Sequence, residues 1–343
     1  MEHTTIAVDI AKNVFEIAVS HRPGQVAETH RLSRSRFLSF FAQRQAADVV
    51  MEACGMAHCW ARQIQHLGHD VVLLPPQYVR PYVHRNKTDR TDAKGLLEAF
   101  RNKDIHPVPI KSVEQQTLAS LHRFRSAWLT TRTAHINTVR GILRELGIFI
   151  PLGAKHVVPH VRSLIEDADS QIPMALRHSL HQACEEIHRL ESLMHDADHQ
   201  IRALGTQIPT VERLLTIPGV GILTATALVA FVGDVHRFRS CRHFASYLGL
   251  TPRERSSGTT RRLGRISKQG DVYLRTLLTH GARAVLWAAS KLSQPDRLRS
   301  WALELQQRRG HNKATIALAN KLARIVWAVW KRGTHYQSLP KAA

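Results

Sequence analysis

The chain has 343 residues, 48 of them Lys or Arg and 27 Asp or Glu, and its formal net charge of +21 favours a polyanionic partner such as nucleic acid. Its four cysteines are scattered and form no CxxC pair, which argues against a disulfide framework. The longest apolar run, residues 222–232, is too short to span a bilayer of about 30 Å, and no N-terminal signal peptide is visible, so we expect a soluble cytoplasmic protein.

Residues 1–106 are predicted to form a mixed α/β domain. Alternating and β-branched residues predict a hairpin over 4–19 and strands over 25–32, 48–52 and 70–75. Helices are predicted over 34–45, 57–67 and 90–104. Strands interleaved with helices in this way are typical of a layered α/β architecture.

Residues 107–206 are predicted to be a helical middle region. One helix is expected over 113–148, a break over 148–159, and a second long helix over 172–205. Spacings of three and four alternate along the second helix through Leu180, Ala183, Ile187, Leu190, Met194, Ala197, Ile201 and Leu204. This heptad pattern predicts a coiled coil that joins the chain into a dimer or tetramer, with an intramolecular helical hairpin as the alternative.

Residues 207–343 are predicted to be a basic helical domain. Between residues 206 and 343 the chain carries 23 Lys and Arg against 6 Asp and Glu, and an excess of Arg favours bidentate phosphate contacts. Helices are expected on both sides of "IPGVG" (217–221) and over 272–290 and 312–331, with a polar loop at 251–271. The glycine turn resembles a helix-hairpin-helix, in which Gly219 and Gly221 would offer backbone N–H groups to a phosphate; a packing turn is an equal alternative.

Four carboxylates fall at the ends of predicted elements. Asp9 ends the first strand and Glu52 the fourth, and the carboxyl ends of parallel strands are where open α/β sheets place ligands. Asp89 and Asp92 share one face of the following helix, because residues three apart are neighbours. Their oxygens would suit Mg²⁺ or Mn²⁺, and paired ions about 4 Å apart assist phosphodiester displacement.

This carboxylate set has a simpler alternative, in which Asp89 caps the helix and Asp92 interacts with its positive end. Glu16, Glu28 and Asp48 are set aside because we expect them at exposed or turn positions. Arg85, Lys87 and Arg90, together with Lys94, surround the two aspartates and are predicted to attract phosphate.

A second candidate centre lies in "RERSSGTTRRLGRISKQGD" (253–271). Arg253, Arg255, Arg261, Arg262, Arg265 and Lys268 surround Ser256, Ser257 and Gly258. Serine attacks phosphorus only when a base or metal activates it, and cations beside it would stabilise the charge of the transition state. A flexible basic loop that binds backbone phosphates is the alternative.

Together these motifs resemble DEDD-type insertion-sequence transposases and the related pilin-gene DNA invertases. The matching segments are "VDIAK" (8–12), "MEACG" (51–55), "NKTDRTDAKGL" (86–96), "IPGVG" (217–221), "HFASYLGLTPRERSSGTTRRLGRISKQGDVYLR" (243–275) and "LLTHGARAV" (277–285). The resemblance implies a RuvC/RNase H-like N-terminal domain with Asp9, Glu52, Asp89 and Asp92 as metal ligands. It also implies a C-terminal transposase domain in which Ser257 is the nucleophile, with Ser256 the less favoured choice.

The resemblance further implies a recombinase that moves a mobile element between donor and target DNA. A structured noncoding RNA would select both DNAs by base pairing, as in other RNA-guided systems. Whether one protomer or two supply the carboxylates and the serine stays open. The alternatives are a RuvC-like junction nuclease that uses water, a site-specific DNA invertase, and a non-catalytic nucleic-acid-binding protein.

Overall fold

A computed structural model describes residues 4–22, 24–83 and 89–338 of the chain, without the side chains of residues 89–91. The contacts divide the molecule into two compact units, Met1–Glu114 with Val232–Arg237 and Gln115–Phe231 with Phe238–Ala343. The domain boundary at residue 106 stays a prediction. The separation of residues 107–206 from residues 207–343 stays a prediction.

A five-stranded sheet forms the centre of the first unit. Its strands are β1 (Thr5–Ile10), β2 (Val14–Ser20), β3 (Glu28–Ser33), β4 (Asp48–Glu52) and β5 (Asp70–Leu74). They lie in the order β3-β2-β1-β4-β5. Strand β2 is antiparallel to both β1 and β3, whereas β1, β4 and β5 are parallel. The prediction of a mixed α/β unit is therefore confirmed.

Helices cover both faces of this sheet: α1 (Phe37–Ala42), α2 (Ala57–His66), α3 (Pro76–Val79) and α4 (Asp89–Arg101). On one face, Phe15 of β2 stacks on Phe37 of α1 with ring centroids 4.1 Å apart, and Trp60 of α2 meets Phe15 edge-on at 5.3 Å. On the other face, the small residues Ala7 and Ala18 belong to the apolar cluster that α4 completes. Their size lets α4 lie close to the sheet.

The remaining described chain is mainly helical. Its helices are α5 (Val113–Glu145), α6 (Val157–Glu166), α7 (Met174–Gly205), α8 (Pro209–Leu215), α9 (Ile222–Val232), α10 (Cys241–Tyr247), α11 (Val272–Ala289), α12 (Arg297–Arg309) and α13 (His311–Arg332). None of the helices in the described ranges combines the length and apolar character needed to cross a bilayer.

Three of these helices are missing from the sequence prediction, each for a local reason. Helix α6 starts inside the predicted break, with Pro159 in its first turn, where the missing N–H removes no helical hydrogen bond. Helix α10 has only seven residues and is fixed by Ser240, whose side chain accepts from the His243 N–H. Helix α12 buries only Leu298, Ser300 and Ala302, so its sequence carries little apolar periodicity.

The heptad seam of α7 is largely buried within one chain. Leu180 and Ile187 of the seam share an apolar cluster with residues of α5 and α6, and the adjacent Cys184 belongs to the same cluster. Ion pairs reinforce the α5–α7 contact: Arg125 with Asp198, and Arg132 with Glu191 at 2.8 Å, in an order that makes the two helices antiparallel. The seam thus serves the intramolecular helical hairpin, and oligomerisation through α7 stays a prediction.

Residues 251–271 contain a short hairpin instead of the predicted loop. Strands β6 (Pro252–Glu254) and β7 (Leu263–Ile266) pair antiparallel, and Ser257 forms an isolated bridge with Thr260. Almost every residue of both strands is exposed. Because no apolar face is buried, the sequence lacks the alternating pattern by which strands are recognised.

The glycine turn between α8 and α9 packs tightly on α11. Gly219 has a φ of +80°, and a Cβ added there would lie 2.7 Å from the carbonyl oxygen of Gly281 on α11. This close contact supports the alternative interpretation, in which the turn serves helix packing. Gly221 is open, with nothing within 4 Å of an added Cβ. Phosphate binding by Gly219 and Gly221 stays a prediction.

We expect Gly281→Ala to destabilise the protein by about 3 kcal/mol, since the new methyl group would overlap the backbone oxygen of Gly219. Gly221→Ala is the matched control and should change stability little. Chemical denaturation of both variants measures the difference. Equal stability of the two variants would contradict the close contact.

Candidate active site

Asp9 and Glu52 lie next to each other at the carboxyl end of the sheet. Strands β1 and β4 are parallel neighbours, with Ala7 paired to Val50 and Val8 to Met51. Asp9 and Glu52 follow two residues after the first of these pairs, so they project to the same face, the one that α4 covers. The expectation that Asp9 and Glu52 lie close together depends on β1 and β4 being parallel neighbours, as they are here.

The thiol of Cys54 gives a second view of the two carboxylates. Burial raises the pKa of Cys54 most, and the negative charges of Glu52 and Asp9 raise it further. Both carboxylates therefore act electrostatically on one side chain. A backbone hydrogen bond of 2.8 Å from the Cys54 N–H to the Glu52 carbonyl oxygen holds the turn that follows β4.

Asp92 approaches the same face of the sheet from α4. This helix packs against β1, β2 and β4, and Ala93 belongs to the cluster that contains Ala7. The Oδ1 atom of Asp92 is buried. Arg85 and Lys87 lie outside the described residues, as do the side chains of Asp89 and Arg90.

The side chains of Asp9, Glu52 and Asp92 have the donor atoms that a hard divalent cation prefers. All of these donors are carboxylate oxygens, which Mg²⁺ and Mn²⁺ prefer, and one of them is buried. Among the side chains that the structure describes, no three His, Cys, Asp or Glu residues form a group able to hold a metal. The side chain of Asp89 lies outside the described part of the structure, so a metal site made of all four carboxylates stays a prediction.

Glu16, which is expected at an exposed or turn position, is instead a neighbour of Asp9. It lies within strand β2, directly opposite Asp9, and its side chain is only 17% exposed. Its Oε1 atom lies 3.3 Å from Nε of Arg31 on β3. The expectation of an exposed or turn position is wrong for Glu16, and the alternation along β2 was the signal that places it on the α4 face.

In the second unit, the two serines of the β6–β7 hairpin have different surroundings. The Ser256 hydroxyl donates to Oε1 of Glu254 at 2.8 Å and accepts from the Arg262 N–H at 3.2 Å. Ser257 and Thr260 exchange backbone hydrogen bonds around Gly258, which has a φ of +55°. The exposed Ser257 hydroxyl forms no hydrogen bond with any residue that the structure describes.

A cationic cavity of about 530 Å³ lies along the same hairpin. Its charged lining residues are Arg253, Arg255, Arg262, Arg265 and Lys268. Arg261, the sixth predicted cation, instead lies 3.3 Å from the Glu254 carboxylate. Five of the six cations predicted around the two serines therefore line one cavity, which favours a polyanionic ligand.

His122 is a fully buried histidine that no sequence motif marks. Its Nε2 lies 3.0 Å from Oγ1 of Thr226, and that hydroxyl donates to the Ile222 carbonyl oxygen. Nε2 must therefore donate, which leaves Nδ1 to accept from the Tyr273 hydroxyl at 3.0 Å. Burial, and then the charge of Arg125, lower the pKa of His122 to about 4.

This lowered pKa predicts a loss of stability in mild acid. The unfolded chain binds a proton at His122 near pH 6.5, whereas the folded chain does so only near pH 4, so stability falls as the pH drops between these values. We expect about 2 kcal/mol of this loss between pH 7 and pH 5. Because the chain has 22 histidines, the measurement is denaturation of wild type and His122→Gln at both pH values. An identical pH dependence of the two proteins would contradict it.

Comparison with known proteins matches both parts of the chain to transposases. A model for DEDD-type IS110 transposases, described as "Transposase", matches residues 6–148. A second model, described as "Transposase IS116/IS110/IS902 family", matches residues 211–296. These ranges contain the carboxylates and the serine hairpin respectively.

Related proteins match three quarters or more of the chain. A probable family 20 transposase of Pseudomonas aeruginosa is 40% identical over 98% of this chain and 99% of its own length. The transposase of insertion sequence element IS1111A from Coxiella burnetii is 37% identical over 97% of this chain and 91% of its own. The pilin gene-inverting protein of Moraxella bovis is 29% identical over 75% of both chains. The expected resemblance is confirmed, and the chain belongs to the IS116/IS110/IS902 family of transposases, enzymes that recombine DNA.

Proposed function

We propose that the enzyme cuts and rejoins the DNA of its mobile element through a covalent bond to Ser257. The observation that carries this proposal is the contrast within the hairpin. Ser256 is held by Glu254 and by the Arg262 backbone, whereas the Ser257 hydroxyl is exposed at the turn. The cationic cavity along β6 and β7 supports it, because a scissile phosphate needs compensating positive charge.

The proposed reaction exchanges one phosphodiester for another. Oγ of Ser257 attacks phosphorus, the bond from phosphorus to the leaving DNA oxygen breaks, the hydroxyl proton passes to solvent, and the leaving oxygen takes up a proton. The hydroxyl of a second DNA end then attacks the phosphoserine, and Ser257 regains its proton. Since each step forms one P–O ester bond and breaks one, no external energy source is required. The cavity arginines stabilise the charge on the phosphate oxygens.

We assign the first unit to a RuvC/RNase H-like fold whose Asp9, Glu52, Asp89 and Asp92 hold Mg²⁺ or Mn²⁺. The mixed sheet, the adjacent Asp9 and Glu52, and the buried oxygen of Asp92 support this assignment. A bound divalent ion would supply Lewis-acid stabilisation of charge that develops on phosphate oxygens. The protein's own part is to keep several carboxylates close together, an arrangement that is costly without a cation.

A structured noncoding RNA is proposed as the partner that chooses donor and target DNA. The excess of 23 basic over 6 acidic residues in 206–343 supports a second polyanion besides DNA. RNA recovered from the purified native protein would be sequenced. A single element-encoded RNA supports the proposal, and random host fragments count against it.

A junction nuclease that uses water is the second candidate, and the paired Asp9 and Glu52 of the first unit favour it. A covalent trap separates the two functions. Wild-type protein is incubated with end-labelled cognate DNA and Mg²⁺, denatured, and digested to map any nucleotide-bearing peptide. An adduct on residues 253–262 supports serine attack, whereas cleavage without any adduct establishes the nuclease.

A further inference from the structure

Helix α11 presents an aromatic ring flanked by cations on its exposed face. Arg283, Trp287 and Lys291 follow one another at intervals of four residues, so they lie along one side of the helix and its end. All three are exposed, and Trp287 is 66% exposed. The Nζ atom of Lys291 lies 3.7 Å from the centre of the Trp287 ring.

The charge of this face is unbalanced. Helix α11 contains no acidic residue between Val272 and Ala289. Within the part of the chain that the structure describes, neither Arg283 nor Lys291 forms an ion pair with a carboxylate. The cations are therefore available to a negatively charged ligand, in a region that is already strongly basic.

An exposed apolar side chain by itself is ordinary on protein surfaces. A tryptophan between two cations is more specific, because it matches the alternation of flat bases and charged phosphates in a nucleic acid strand. Bases inside a duplex are stacked on each other and cannot reach the indole ring. Unpaired nucleotides offer both a free base face and a neighbouring phosphate.

We infer that this face of α11 binds unpaired nucleotides, with one base taking the place of Lys291 on the Trp287 ring and the adjoining phosphates held by Arg283 and by the displaced Lys291. We name this surface, Arg283, Trp287 and Lys291, the α11 platform. It rests on the family's action on DNA and does not depend on the Ser257 reaction. The strand can be DNA opened during recombination or a loop of RNA, and the shared chemistry is the unpaired nucleotide.

The test compares binding of the full chain to three labelled ligands of equal length: single-stranded DNA, single-stranded RNA and duplex DNA. We expect Trp287→Ala to weaken binding to at least one of the single strands about tenfold, which is the usual loss for one stacked base. Duplex affinity should stay within about twofold, since phosphate contacts alone hold a duplex. Trp287→Phe, which keeps an aromatic ring, should recover most of the affinity.

The cations are tested by salt dependence. Lys291→Gln and Arg283→Gln should each lower the slope of log affinity against log salt on single strands by about 0.7, the effect of losing one phosphate contact. Trp287→Ala should leave that slope unchanged, because stacking releases no counterion. Phe124→Ala is the matched control, since Phe124 is an aromatic side chain of α5 with 57% exposure.

The inference fails if Trp287→Ala leaves both single-strand affinities unchanged, or lowers duplex affinity to the same extent. It also fails if the variant alters only the oligomeric state in sedimentation, which would make Trp287 a subunit contact. Because these readouts are binding constants, they are independent of the covalent trap. The experiments therefore distinguish a protein whose α11 platform binds nucleotides but which forms no serine adduct from one that forms the adduct without this binding surface.

Discussion

Ser257→Ala should abolish both the protein–DNA adduct and strand transfer, by about 10⁴-fold or more, as expected for loss of a nucleophile. Ser256→Ala should keep adduct formation within about tenfold, because it removes only hydrogen bonds in an exposed hairpin. The measurement is the yield of labelled adduct after denaturation, with nucleic-acid binding recorded for each variant.

The serine pair is a well-matched comparison, because the two residues are adjacent, identical in type and both exposed. Glu254→Gln extends it, since glutamine retains a carbonyl oxygen that can accept from Ser256. That variant should behave like Ser256→Ala or better. An adduct that persists in Ser257→Ala and vanishes in Ser256→Ala would reverse the assignment, and Glu254 would then become the base beside the nucleophile.

Asp92→Asn and Asp9→Asn should each reduce strand cutting by about a thousandfold while leaving nucleic-acid binding almost intact. The substitutions keep side-chain shape but remove the negative charge that holds a hard cation, and a catalytic cation contributes several kcal/mol of charge stabilisation. The first readout is cleavage of cognate DNA in Mg²⁺. The second readout is the rise in melting temperature when Mn²⁺ is added. A ligand that binds only the folded state stabilises it, so this rise should be smaller in the variants than in wild type.

Asp70→Asn is the control for these variants, since Asp70 is an exposed carboxylate at the start of β5. It should resemble wild type in both cutting and the response to Mn²⁺. If Asp92→Asn and Asp9→Asn also behave like wild type, the carboxylates serve only the fold. A non-catalytic nucleic-acid-binding protein would show no cutting in any of the variants.

The parts of the fold that follow from the sequence are those that bury apolar residues in a regular order. Strand β4 was predicted at its observed bounds because Val49, Val50 and Met51 are all buried between covered faces. The same regularity predicts that Asp9 and Glu52 each end a strand, whereas the neighbouring positions of the two strands come from the observed sheet order. For the second unit, the long helices α5 and α7 follow from their apolar spacing.

The parts that the sequence did not show are stabilised in other ways. The β6–β7 hairpin is held by backbone pairing and by Glu254, none of which leaves an apolar pattern. The buried position of His122 depends on hydrogen bonds with Thr226 and Tyr273. Because both residues are far from His122 in sequence, no local motif marks it. The heptad pattern of α7 could not distinguish a neighbour in the same chain from one in another subunit.

The near-complete exposure of the β6–β7 hairpin has a consequence for how the enzyme is controlled. Its strands bury almost no side chain, so opening the tip costs little free energy, and amide hydrogens around Ser257 should exchange rapidly with solvent. At its base the backbone is tightly confined, because an added Cβ at Gly249 or Gly270 would overlap neighbouring carbonyl oxygens. We therefore expect nucleic acid bound in the cationic cavity to order the tip. For the proposed attack by Ser257, ordering by the substrate itself would discourage premature strand breakage.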